Sequence, residues 1–160
     1  DPPMLRGPKL LLPLLTLLAF AGPARAASQD VSPPASEWRG YCSAYVAALD
    51  GKSEVSDLDV TYCLGMTKGL LNGLRIGAQI GALSFGSRLA VRYSLDADEV
   101  FKLFQQQDPA RILGICSPPT LNAADYVRAV LAHLEKNPAD RQRPIGEVFF
   151  EGLQATWPCN

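Results

Sequence analysis

The clearest hydrophobic pattern lies in the last third of the chain. Val127, Val130, Leu131 and Leu134 stand at i, i+3, i+4 and i+7, the spacing that collects apolar side chains on one helical face. Pro118-Pro119-Thr120 opens this helix with Thr120 as its expected N-cap, and Asn137-Pro138 ends it. Ile145, Val148, Phe149 and Gly152 repeat the spacing in a helix expected over residues 144–155, with Pro144 in the first turn. Upstream, Ser36 is a good N-cap for a helix reaching about Leu49, where Asp50-Gly51 stops it. Val100, Phe101, Leu103 and Phe104 mark a helix over residues 96–107, ended by Asp108-Pro109. Residues 85–95, with Arg88, Arg92 and Tyr93, fit helix, loop or a short strand. These elements predict an all-α, single-domain bundle of about five helices.

The longest expected helix, residues 59–83, carries glycine every four positions: Gly65, Gly69, Gly73, Gly77 and Gly81. Each step of four advances 40° around the axis, so the five sweep an arc of about 160°. Lys68, Asn72, Arg75 and Gln79 gather on a strip of about 60° elsewhere. A helix with one thin polar stripe belongs in the middle of a bundle. Glycine costs roughly 1 kcal/mol against alanine in a helix interior, and close approach of neighbouring helices is the expected compensation. Membrane insertion through a small-residue interface is the sharper alternative. It fails on magnitude, because Lys68 and Arg75 would each cost about 2.5–3.5 kcal/mol near a bilayer centre while each Leu or Ile returns about 0.3–0.6.

Composition narrows the class. Hydrophobic residues make up 48% and charged residues 19%, a globular balance. A formal net charge of −1 gives no general attraction for nucleic acid or anionic lipid. The N-terminal stretch reads as a signal peptide: Arg6 and Lys9 precede an apolar run from Leu10 to Phe20, and Ala24-Arg25-Ala26 fits the small-x-small cleavage pattern. The run is shorter than the about 20 residues of a spanning helix, which weighs against an uncleaved anchor. Asp1-Pro2-Pro3 precede the first methionine and are set aside as a start artefact or a remnant. Loss of residues 1–26 takes away one acid and three bases, moving the formal charge from −1 to −3. Residues 27–36 are expected to be a flexible leader, residues 37–160 the domain, and the location periplasmic.

Cys42, Cys63, Cys116 and Cys159 all follow the signal segment, and an even count in an exported chain favours disulfides. Four cysteines allow three connectivities. The two C-terminal helices are joined by a short connection and must run antiparallel, which brings Cys116 and Cys159 to one end of the hairpin. Cys116–Cys159 with Cys42–Cys63 is the preferred pairing. There is no Cys-x-x-Cys and His133 is the single histidine, so neither metal nor cofactor is expected. Catalysis is not expected either. His133 lies at the edge of an apolar face without a visible catalytic neighbour, no Gly-x-Ser-x-Gly occurs, and Lys68 precedes the spacing a phosphate loop requires.

Four motifs now bear on family. They are Cys63-x-Gly65-x-x-x-Gly69, Cys116-x-Pro118 before an amphipathic helix, Asn137-Pro138 at its end, and Pro158-Cys159. With these, residues 38–159 resemble the Rap/Tai family of type VI secretion immunity proteins. Two departures stand out: Met66 replaces an aromatic residue common after the first motif glycine, and residues 84–115 are longer than usual. The resemblance implies a small helical periplasmic protein that binds a peptidoglycan amidase injected by sibling cells and blocks its active site, commonly as a dimer, here a homodimer. Blocking needs a fixed loop or helix end. Residues 84–93 (Arg88, Arg92, Tyr93) and 139–143 (Arg141, Arg143) are the candidates, a solvated turn being the plainer reading of the second. A periplasmic stress chaperone and an adaptor subunit of an envelope complex are the alternatives.

Overall fold

The computed structural model describes residues 32–159; the expected signal peptide, residues 1–26, lies outside them. The described chain is all-helical: α1 (Ala35–Leu49), α2 (Asp57–Tyr93), α3 (Ala97–Gln105), α4 (Pro109–Ile112), α5 (Ala123–Lys136), a 3₁₀ turn (Pro138–Gln142) and α6 (Ile145–Thr156). Two disulfides join Cys42 to Cys63 and Cys116 to Cys159, the preferred pairing.

Three boundaries differ from the sequence pattern. The expected leader is fixed at its end: Pro34 bridges to Pro144, Ala35 N–H donates to the Arg143 carbonyl and Ile145 N–H to the Pro33 carbonyl. Ala35 is fully buried there, so residues 33–36 belong to the domain. The cap of α5 is Asn122, not Thr120. Its Oδ1 accepts from Ala124 and Asp125 N–H, and the Asp125 carboxylate accepts from Asn122 N–H, a reciprocal capping box.

The largest difference is α2. It starts two residues early, because the Ser56 hydroxyl accepts from Asp59 N–H and Asp57 and Asp59 fall in the positive first turn. It then continues through the stretch that the pattern left open and ends at Ser94 in the left-handed region. Thirty-seven residues make a rod about 55 Å long. Gly86 is where α3 approaches this continuation most closely. A Cβ there would meet Phe104 Cε2 at 2.8 Å and Val100 Cγ1 at 3.1 Å, so only glycine lets α3 lie this close.

The core is formed by α1, the first half of α2, α5 and α6. Trp38, Phe149, Leu134, Ile145, Leu153, Val127, Val130 and Val148 are its largest buried side chains, with Cys42, Cys63 and Thr67 among them. Trp38 stacks edge-on against Phe149, and its indole N–H donates to the Thr67 hydroxyl at 3.3 Å. That pairs two buried polar groups across α1 and α2. Asp50, at the end of α1, is ion-paired with Arg128 of α5 and with Lys52. The Arg128 guanidinium holds the Asp50 carboxyl down at about 2. Gly114, at a φ of 75°, turns the chain after α4 so that Cys116 N–H reaches the Trp157 carbonyl and the second disulfide can close. Beyond Leu74 the core stops, and α2 runs on with α3 packed along it.

Candidate functional site

The glycine stripe does not pack inside the chain. Nothing lies within 4 Å of a Cβ built at Gly65, Gly69, Gly73, Gly77 or Gly81, and all five are exposed. The reason is angular. Cys63 and Thr67 are fully buried, and a residue two positions further sits 200° around the helix, so Gly65 and Gly69 must face away from the core. The expectation of close packing by neighbouring helices of the same chain is therefore corrected: those neighbours cover the other side of α2.

What shares the glycine side is apolar. Ile76 and Ile80 project between the glycines with 56% and 59% of their surface exposed, and Val91 continues the line at 85%. Of the ten large hydrophobic residues most exposed among the described residues, eight lie between positions 76 and 103: Ile76, Ile80, Phe85, Val91, Tyr93, Leu95, Phe101 and Leu103. They do not all share one side, since Phe85 follows Ile76 by nine residues and so lies about 180° round the helix. Ile76, Ile80 and Val91 fall within about 60° of one another and form an exposed apolar line beside the glycines. A cavity of about 370 Å³ opens beside it between the two helices, lined by Leu83, Ala90, Val100 and Phe104. Helix α3 buries no residue completely, although its Asp96 cap accepts from Asp98 and Glu99 N–H. No helix among the described residues is long and apolar enough to cross a membrane.

The basic candidates fall into two unlike groups. Arg88, Arg92 and Tyr93 lie at the far end of α2, exposed, with the Arg92 guanidinium 5.8 Å from the Tyr93 ring centroid. They border the apolar surface. Arg141 and Arg143 lie on the 3₁₀ turn and just after it, which pack against α1 and α5 instead. Arg143 is engaged within the chain. It donates to Asp140 at 3.1 Å, twice to Glu151 at 2.7 Å and to Glu147 at 3.1 Å. These bonds raise its pKa further and lower that of Glu151. Arg141 is half-buried, with its Nε lacking a partner. His133 Nε2 lies 3.2 Å from Asp140 Oδ2. Atoms of His133, Asp140 and Glu151 come within 4.8 Å of one another, near enough to hold a metal ion. However, Arg143 already places a cation between the two carboxylates, and the cluster works as a staple from the turn to α6.

Sequence reasoning missed Ile76 and Ile80 as surface residues. The preferred Cys42–Cys63 pairing was a partial signal, since it points Cys63 towards α1, but the inward side along the helix is set only by the burial of Cys63 together with Thr67. Phe101 and Leu103 carried no comparable mark, since a helix with Val100 and Phe104 also apolar reads as core.

Comparison with known proteins gives one match. Residues 17–159 fit the family model described as Rap1a immunity proteins. No curated protein and no solved structure matches the chain.

Proposed function

Because the chain belongs to the Rap1a immunity protein family, whose members bind protein effectors, we propose that it holds a type VI secretion effector, a peptidoglycan amidase, in the periplasm and blocks it without chemistry of its own. The observation that carries this reading is the exposed apolar line of Ile76, Ile80 and Val91 on a disulfide-locked fold. Such a surface is costly to leave in water and suits a fixed protein partner. The glycine side of α2 supplies a close-approach track for a helix of another molecule. A second copy of the chain fits it, because a stripe of small residues meeting its own antiparallel image is self-complementary. Arg88, Arg92 and Tyr93 border the apolar surface and are assigned to the effector contact. Two disulfides agree with export to an oxidising compartment. A chaperone that exposes apolar surface only on acidification is less well supported, since here the surface is open without a trigger.

The test is co-production with a secreted peptidoglycan amidase as the candidate effector, exported to the periplasm. The wild-type chain is expected to prevent lysis. Ile80→Asp and Val91→Asp, both exposed positions, are expected to keep the fold by circular dichroism and lose protection. Equal protection by both variants would refute the assignment of this surface.

A further inference from the structure

A second cleft lies away from residues 76–103. It occupies about 460 Å³ between α2, α4 and the Pro118-Pro119 turn, within the size range of ligand-binding clefts. Its floor takes apolar contact from the half-buried Leu71 and Leu74 and the exposed Pro118 and Pro119, with the buried Ile115 and Leu153 behind them. Its rim carries Arg75 on α2 and Arg111 on α4. Both are exposed, and neither appears in an ion pair or side-chain hydrogen bond, unlike Arg128 and Arg143. Asp108 is the only carboxylate lining the cleft, and its Oδ1 is engaged by Ala110 N–H. The rim is therefore net positive on a chain whose formal charge is −1. The far wall is stiff. Cys116 is tied to Cys159, Ile115 bridges to Pro158, and the Ser117 and Tyr126 hydroxyls stand 3.4 Å apart.

We infer that this cleft receives an acidic side chain together with its apolar neighbour from an extended segment of a protein partner. The floor takes the apolar residue and the two guanidiniums take the carboxylate, a pairing favoured by charge and by the donor geometry of arginine. The inference deepens the protein-binding reading and rests on it, adding a contact on a different side of α2.

The test uses the full disulfide-bonded chain, labelled with nitrogen-15, titrated with the peptide acetyl-Leu-Glu-Phe-amide and with its Gln counterpart. The expected result is a saturable shift at the amides of Leu74, Arg111, Ile115 and Tyr126. The Glu peptide should bind roughly five- to ten-fold more tightly than the Gln peptide. That preference should shrink in high salt and vanish in Arg75→Gln/Arg111→Gln. Sodium acetate should not reproduce the shifts, because it cannot fill the floor. Shifts elsewhere, none at millimolar peptide, equal binding of the two peptides, or full mimicry by acetate would each overturn the inference. The Glu-against-Gln comparison needs no variant. Its failure would leave the Ile80→Asp and Val91→Asp result standing, so the two readings fail separately.

Discussion

Replacing glycines along α2 by alanine should strengthen the fold at one set of positions and weaken it at another, and the sign is set by what lies opposite the missing Cβ. Gly69, Gly73 and Gly77 face open space, with nothing within 4 Å. Each alanine there gains helix propensity of roughly 0.5–1 kcal/mol and creates no clash. The triple variant should gain roughly 1.5–3 kcal/mol if the sites add, since alanine side chains four residues apart make only ordinary contact. In a domain of this size that is a rise in melting temperature of about 5–10 °C. Gly86 should behave oppositely. An added Cβ would stand 2.8 Å from Phe104 and 3.1 Å from Val100, so α3 must shift. Overpacking of about 1–3 kcal/mol outweighs the propensity gain. The assay is urea and thermal unfolding followed by circular dichroism, with sedimentation velocity to fix the oligomeric state in each sample. At dilutions where the chain is a monomer, the triple variant should melt higher than wild type. If glycine–glycine contact joins two copies, the same variant should also associate more weakly. A lower melting temperature for the monomeric triple variant would refute the outward assignment of the stripe, and unchanged self-association would refute its use between copies.

Three other predictions concern the disulfides, a buried hydrogen bond and a surface ion pair. Removing Cys42–Cys63 by double alanine substitution should cost more than removing Cys116–Cys159. The loop-closure values are roughly 3.4 and 4 kcal/mol, but Cys42 and Cys63 are fully buried and each lost sulfur adds about 1 kcal/mol of packing; the reverse order in urea unfolding would contradict this. Thr67→Val keeps the shape and leaves the Trp38 indole N–H without its acceptor, an expected loss of about 1–3 kcal/mol that Thr67→Ser should largely avoid; a fully stable Thr67→Val would show that the bond contributes nothing. The Asp50 carboxyl should titrate at about 2 rather than 3.8 when followed by carbon-13 NMR, and move back towards the ordinary range in Arg128→Gln, with Lys52 still holding it partly down. Because its folded pKa is depressed, its stabilising effect is complete above the unfolded value near 4 and fades as pH falls towards 2; acid unfolding of Arg128→Gln should lose the larger part of that pH-dependent component, the part due to Arg128.

Helix content, the C-terminal hairpin and the disulfide pairing follow from local rules. Periodicity at Val127–Leu134 and Ile145–Gly152, proline at the breaks and the antiparallel return of a short connection all act within a few residues of where they are read. What tertiary structure decided is which side of α2 turns inward. Glycine has no side chain to declare a preference, so Gly65 to Gly81 suit a packed interior and an exposed track equally well. Only the burial of Cys63 and Thr67 against α1 and α6 breaks that symmetry. The same holds for Arg143: a charged residue in a turn looks free until Glu147 and Glu151 are brought round by α6 to bind it. Residues 84–93 continue α2 with α3 packed closely at Gly86, a contact between segments about 15 residues apart that no local pattern encodes.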